Sequence, residues 1–313
     1  MTRLCCIVGP TAAGKSALAD EVAVRLGTTV ISVDAMQVYR GMDIGTAKTP
    51  PAERRCELEM VDVCDPSEGY SARLYQAAAR SCVDRALKEG RVPVLCGGTG
   101  LYLDAVIDEM DFPAGEKGSR VRSAYEALVA EKGPAAAWEL LSSRDPASAA
   151  LIHPNNSRRV VRALEMGDEG RSYAEQASGL HDHVPRYAAD LWGVTMSRER
   201  LYARIDERVD AMFAAGLVDE VRGLVAGGLS PESTAGQAIG YKEVIEALEG
   251  DVSMEDAREA VKVRSRHYAK RQLSWFRRDG RVRWLDMDEL SFDEAARIVE
   301  ARAREGSGDG RRA

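Results

Sequence analysis

The chain is poor in the residues that build metal centres. It has four histidines and six cysteines among 313 residues, and no two cysteines form a C-x-x-C pair. Several of Cys5, Cys6, Cys56, Cys64, Cys82 and Cys96 sit within apolar runs, so they read as small core residues in a reducing compartment rather than a disulfide frame or a zinc site. His181-Asp182-His183, the one histidine cluster, falls in a Pro-containing loop and is not assigned a metal. There is no apolar run of about 18 residues, which excludes a membrane-spanning helix. Met1-Thr2-Arg3 leads straight into an apolar run, so no signal peptide is expected and the protein should be cytoplasmic. An overall basic excess is lacking too: the net charge is −7, which does not advertise a nucleic-acid binder, although local distribution matters more than the sum. No internal repeat is visible.

Hydrophobic residues make up 45%, enough for a sizeable core in one large α/β domain or two domains. Short β-type runs at Leu4–Val8, Val30–Val33, Met60–Val63, Val92–Cys96, Leu191–Thr195 and Val282–Leu285 alternate with helix-period segments such as Ala72–Leu87. That rhythm predicts an α/β fold with a parallel sheet covered by helices on both faces. It breaks between about 114 and 187, after the polar stretch Ala114–Ser119. There the signals are helix starts: Asp145-Pro146 as N-cap and first residue, and Asn155-Asn156-Ser157 ahead of Arg158–Met166. The expected domains are therefore a core from 1–113 and 188–303 with a helical carboxy-terminal region, an all-helical insertion at 114–187, and a disordered Gly/Arg-rich tail at 304–313.

Gly9-Pro10-Thr11-Ala12-Ala13-Gly14-Lys15-Ser16 follows the first apolar run and precedes a helical stretch, the context in which G-x-x-x-x-G-K-[ST] forms a phosphate loop. Its backbone N–H groups form an anion nest, the following helix aims its positive end there, Lys15 adds a full charge, and the Ser16 hydroxyl can hold Mg²⁺. This implies a P-loop NTPase-like core gripping a di- or triphosphate.

After the second strand comes Ser32 through Lys48. Ligands of open α/β sheets sit at the carboxyl ends of strands, which places Asp34 beside the phosphate loop as a Mg²⁺ ligand, a general base or a cap. Gln37 offers a donor and an acceptor, the pairing that an adenine edge requires. The run at 92–96 ends in Gly97-Gly98-Thr99-Gly100 without the acidic Mg²⁺ partner of motor-type NTPases, which argues against ATP hydrolysis and for a tunnel lined by backbone. Between Lys262 and Arg283 lie nine basic residues and a single acid, Asp279, interleaved with His267, Tyr268, Trp275 and Phe276. That composition suits phosphates and unstacked bases, or an amphipathic helix whose aromatics face the core. Arg158-Arg159-Val160-Val161-Arg162 is a second basic group, able to clasp RNA or to pair with nearby Glu.

Together these stretches resemble the bacterial tRNA dimethylallyltransferases. The resemblance rests on residues 9–16, 32–48, 97–102, 156–165, 238–243 and 271–278, in family order. It implies that the phosphate loop (Gly9, Pro10, Thr11, Ala12, Ala13, Gly14, Lys15 and Ser16) holds the diphosphate of dimethylallyl diphosphate with Mg²⁺ at Ser16. It further implies that Asp34 is the general base, assisted by Lys15 and Thr99, and that the helical insertion binds tRNA. Asp34, Ala35, Met36 and Gln37 would frame the target adenine and Thr99 would contact the substrate near the tunnel, while Arg122, Arg158, Arg159, Arg162, Gln237, Gly240, Tyr241 and Lys242 would meet the tRNA; a monomer is expected. The chain departs from the family at Ala35, commonly Ser, and at Cys56-Glu57-Leu58-Glu59-Met60, where the family often shows Pro-His-His. It also lacks ligands for the carboxy-terminal zinc finger of eukaryotic relatives. A small-molecule kinase and an enzyme that prenylates free adenylate are the rival readings of the phosphate loop and Asp34.

Overall fold

Leu4, Cys6 and Val8 point to one side of the first strand and Cys5 and Ile7 to the other, and all five are buried. A strand covered on both faces belongs inside a parallel sheet. The computed structural model describes residues 3–112, 120–179 and 182–306. The elements in chain order are β1 (Leu4–Val8), α1 (Lys15–Leu26), β2 (Val30–Val33), β3 (Leu58–Glu59), α2 (Ala72–Lys88), β4 (Val94–Gly97) and α3 (Gly100–Ile107). There follow α4 (Arg120–Arg144), α5 (Pro146–Leu151), α6 (Ser157–Asp168) and α7 (Tyr173–Gly179). The chain continues through β5 (Ala189–Thr195), α8 (Arg198–Ala214), α9 (Leu217–Ala226), α10 (Tyr241–Glu249), α11 (Met254–Phe276), β6 (Val282–Asp286) and α12 (Phe292–Gly306).

The six strands form one parallel sheet in the order β3-β2-β4-β1-β5-β6, a P-loop-like arrangement. On one face Leu18, Val22 and Ala23 of α1, Leu201 and Ile205 of α8 and Ala296 and Val299 of α12 pack on Cys5, Ile7 and Val194. On the other, Tyr75 and Val83 of α2 and Leu103 and Val106 of α3 pack on Cys6, Val8 and Leu95. The inner strands β1, β2 and β4 thus read as near-continuous apolar runs because both faces are buried.

The chain forms two compact units, Met1–Asp108 with Pro185–Ala313, and Glu109–Val184. The second contains α4 to α7 around Ala137, Leu141, Ile152, Val160 and Leu164. Asp145 caps α5, accepting from Ser148 N, and Asn156 caps α6, accepting from Arg159 N, as the N-cap signals predict. Gly133, at φ 83°, breaks α4 ahead of Pro134.

Two expectations are corrected. The strand expected at Met60–Val63 pairs instead at Leu58–Glu59; Met60 and Asp62 then adopt positive φ, and Asp62 turns to the buried Lys48 ammonium at 2.6 Å. Arg304–Gly306, expected in the tail, complete α12, where Arg304 bonds the Arg25 carbonyl at 2.8 Å and Glu300 at 2.9 Å. The rest of that tail, the whole 114–119 linker and His181 lie outside the described residues.

Candidate active site

The phosphate loop leaves the carboxyl end of β1 and enters α1 at Lys15. Gly9 is required by close approach: a Cβ there would lie 2.6 Å from the Val194 carbonyl oxygen of neighbouring β5. Gly14 is the N-cap of α1, which has no side-chain cap, so the N–H groups of its first turn remain for an anion. The Ser16 side chain is exposed in that turn beside Cys96, and Asp34 and Asp20 both act electrostatically on the same thiol. A hydroxyl with nearby carboxylates is a hard oxygen donor set, which fits Mg²⁺.

The loop is held by side chains from distant helices. Gln272 of α11 accepts from Thr11 N at 2.8 Å and donates to the Gly98 carbonyl at 3.0 Å. Arg204 and Arg208, one turn apart on α8, reach Ala12 O at 2.8 Å and Thr11 Oγ1 at 3.3 Å. Lys15 Nζ folds back onto Pro10 O at 3.2 Å. Among the described residues, neither Lys15 nor Arg208 has a carboxylate within salt-bridge distance. Burial pulls the Lys15 ammonium below its ordinary range, opposed by Cys96 and Asp34 and reinforced by Arg208. Burial likewise lowers Arg208, with Asp34 opposing. Two cations pressed against a nest, bonded to neutral oxygens, form an anion site.

Asp34 leaves β2 into the turn, where its Oδ1 accepts from Met36 N at 2.9 Å. It therefore caps the turn and also faces the phosphate loop, as its electrostatic effect on Lys15 and Arg208 records. Thr99 Oγ1 accepts from Ala35 N at 3.1 Å, which ties the end of β4 to the end of β2. Tyr268 lies beside Thr99 and Gln272, and burial and then the Asp34 charge push its phenol up to about 12. Asp34, Ala35, Met36, Gln37, Thr99 and the phosphate loop are thus assembled within one unit.

Gln37 is partly committed. Its Oε1 accepts from Ser32 Oγ at 2.8 Å and its Nε2 donates to Thr46 O at 3.2 Å, which leaves one N–H and one lone pair for a ligand. The tunnel reading of the β4 glycines needs correcting. A Cβ on Gly97 would lie 1.9 Å from Val33 O, one on Gly98 2.0 Å from Gln272 Nε2, and one on Gly100 2.1 Å from Trp275 Cδ1. These glycines admit the protein's own backbone and side chains.

In the turn before α10, Gln237 Nε2 bonds Pro231 O at 2.8 Å and Gly240 is the N-cap, with its N–H on Glu243 at 2.7 Å. Tyr241, expected at the tRNA surface, is fully buried, its hydroxyl 2.6 Å from Glu220. Its aromatic bulk fills the core beneath the 43–45 turn, so its side chain is not presented to a ligand. Lys242 is half-buried, 3.6 Å from Glu246.

Segment 262–283 divides into ion-paired and open basic residues by the neighbours each one meets. Arg266 makes a bidentate pair with Asp206, Lys262 meets Asp210 at 2.9 Å and Arg264 meets buried Glu243 at 2.7 Å. Trp275 donates to buried Asp104 at 3.0 Å, Phe276 is in the core, and Arg281 grips Asp108 with two bonds. His267, Lys270, Arg271, Arg277 and Arg278 are exposed and share one side of α11 and its carboxyl end. In the second unit, Arg122 meets Glu126 at 2.8 Å, Arg162 pairs with buried Glu165 at 2.8 Å, and Arg158 and Arg159 are exposed. Arg208 had no motif to announce it, its one signal being its spacing from Arg204; Gln272 lay within the 271–278 stretch and Tyr268 within the basic segment, neither with a role at the phosphate loop.

Family models match this chain over most of its length: the one described as IPP transferase covers residues 37–279 and the one described as isopentenyl transferase covers residues 2–59. The chain belongs to the IPP transferase family. It is 44% identical over 296 residues to a tRNA dimethylallyltransferase of Geobacillus kaustophilus, covering 94% of this chain and 93% of that relative. It is 45% identical to the Rhodococcus jostii enzyme of the same name, covering 90% of each. Among solved structures it is similar to the full-length tRNA isopentenylpyrophosphate transferase of Bacillus halodurans, with a TM-score of 0.72 and 40% identity over 98% of this chain and 97% of that one. A eukaryotic dimethylallyltransferase acting on tRNA superimposes with a TM-score of 0.81 and 26% identity, over 97% of this chain and 80% of the other. The membership favours transfer of a prenyl group over the kinase reading. No helix among the described residues is long and apolar enough to cross a membrane.

Proposed function

We propose that this protein transfers the dimethylallyl group of dimethylallyl diphosphate to N6 of the adenosine 3′-adjacent to the tRNA anticodon (position 37), releasing diphosphate and N6-(dimethylallyl)adenosine in tRNA. One observation carries this reading: among the described residues Lys15 and Arg208 have no carboxylate partner against the phosphate loop, and Asp34 faces them from the next strand end but one in the sheet.

The chemistry has three demands. The adenine amine is a poor nucleophile because its lone pair is delocalised into the ring, whereas the allylic C–O bond of the donor ionises readily. N6 bonds to the allylic carbon as the C–O bond breaks, and the electron pair leaves on the diphosphate oxygen. The loop amides, Lys15 and Arg208 stabilise that charge. When bound at Ser16, Mg²⁺ supplies further positive charge to the leaving group. The N6 proton passes to the Asp34 carboxylate. Ala35, Met36, Gln37 and Thr99 hold the adenine in line with the allylic carbon. Taking the base out of its stack costs roughly a few kcal/mol. Phosphate contacts offset it, assigned here to the exposed basic face of α11 and to Arg122, Arg158, Arg159 and Arg162 of the helical insertion, with Gln237, Gly240 and Lys242 beside the core. The enzyme is proposed to work as a cytoplasmic monomer.

The test is acceptor labelling. Labelled dimethylallyl diphosphate or γ-labelled ATP is supplied with tRNA or with AMP. Label passing from the prenyl donor to tRNA is expected; label on AMP, or phosphoryl transfer from ATP, overturns the assignment.

A further inference from the structure

Glu220, near the start of α9, is a fully satisfied carboxylate. Its Oε2 accepts from Asp43 N at 3.0 Å and Ile44 N at 2.7 Å, and its Oε1 from Gly45 N at 3.2 Å and the Tyr241 hydroxyl at 2.6 Å. Four donors meet the four lone-pair positions a carboxylate offers. Three of them are consecutive backbone N–H groups, the arrangement that elsewhere forms a nest for a free anion. Gly45 permits this, since a Cβ there would lie 2.4 Å from the Tyr241 ring.

The turn so held leads directly to the base-reading position. Thr46 follows Gly45; its hydroxyl bonds Met42 O at 2.5 Å, and its carbonyl accepts from Gln37 Nε2. From the other side, buried Lys48 bonds Tyr39 O at 2.5 Å, Asp43 at 2.8 Å and Asp62 at 2.6 Å. The other hydrogen bond of the Gln37 side chain is to Ser32. The orientation of its amide, and hence which edge of a base it can read, depends on where the Thr46 carbonyl sits.

We propose that Glu220 is a positioning residue for acceptor recognition: through the 43–46 turn it orients the Gln37 amide toward the adenine. This rests on the tRNA prenyl-transfer reading above. A carboxylate is needed because an amide in its place would set an –NH₂ group against backbone N–H donors. All four bonds of Glu220 go to the 43–45 turn and Tyr241, away from the phosphate loop.

Steady-state prenyl transfer by Glu220→Gln, Gln37→Ala, the double variant and Tyr241→Phe tests the proposal. Glu220→Gln should raise KM for tRNA by about tenfold to a hundredfold, as for a lost charge-assisted hydrogen bond, while KM for dimethylallyl diphosphate stays within about twofold. In the Gln37→Ala background the same substitution should add little, because both act through one amide. Tyr241→Phe, which removes one donor of the four, should show a smaller loss of the same kind, and it remains informative if Glu220→Gln fails to fold. Equal losses with both substrates, or full additivity with Gln37→Ala, overturn the positioning role. A wild-type protein that prenylates no tRNA overturns the underlying reading instead.

Discussion

Gly98 lies directly beneath Gln272, whose Nε2 donates to the Gly98 carbonyl at 3.0 Å while its Oε1 holds Thr11 N at 2.8 Å. One amide thus couples the end of β4 to the phosphate loop. Gly98→Ala would place a Cβ 2.0 Å from Gln272 Nε2, and that flexible side chain would swing away. The fold should survive with a small loss of stability. KM for dimethylallyl diphosphate should rise about tenfold, as for one or two lost hydrogen bonds. Gly100→Ala meets the rigid Trp275 ring at 2.1 Å and should instead lower stability by about 1–3 kcal/mol through overpacking. Steady-state kinetics and thermal melts distinguish the two.

Asp34 has two tasks that a suitable substitution separates. Asp34→Asn keeps an oxygen to accept from Met36 N, so the turn should hold, but it removes the base. Single-turnover rates should fall about 10²–10⁴-fold with tRNA affinity little changed. Asp34→Ala should lose the same rate and some loop order besides. Full activity in Asp34→Asn would remove it from the chemistry.

Lys15 gives a pH signature. Its folded pKa lies below 10.5, so between the depressed value and 10.5 the unfolded chain binds more protons than the folded one. Its contribution to stability therefore rises with pH across that window and is a constant cost below it. The stability of the free protein minus that of Lys15→Met should climb as pH rises toward 10.5, starting at the depressed folded pKa; the subtraction cancels other titrating groups. Saturating inorganic diphosphate favours the charged ammonium and should abolish the climb. Denaturation midpoints against pH, with and without diphosphate, give the answer.

The exposed and paired cations of α11 should behave differently. Arg277→Ala or Arg278→Ala should weaken tRNA binding and reduce the dependence of log K on log salt by about one for each phosphate that is no longer neutralised, with stability unchanged. Arg264→Ala strips a partner from buried Glu243 and should cost about 1–3 kcal/mol of stability. Titrations at several salt concentrations, beside thermal melts, separate these outcomes.

Much of this was legible in order along the chain. Apolar runs such as Leu4–Val8 mark buried parallel strands because burial on both faces demands apolar residues at every position. The phosphate loop is a local motif: its glycine, lysine and serine act through backbone within eight residues, so spacing alone identifies it. Asp34 was placed by strand polarity, since loops at carboxyl ends converge. Asp145 and Asn156 announced their helices because a cap acts within three residues.

What the sequence determined by itself was whatever is set by neighbours: strand order of appearance, the anion nest, the caps and the family. Tertiary structure alone decided that Arg208 and Gln272, about 200 and 260 residues beyond Thr11, hold the phosphate loop. It also decided that Tyr241 is core rather than RNA surface, and that the basic segment 262–283 splits between structural ion pairs and an open face. Composition cannot make that division, because an arginine beside a carboxylate and an arginine beside water are the same letter; only the packing of α11 against α8 and α10 assigns each side chain its partner.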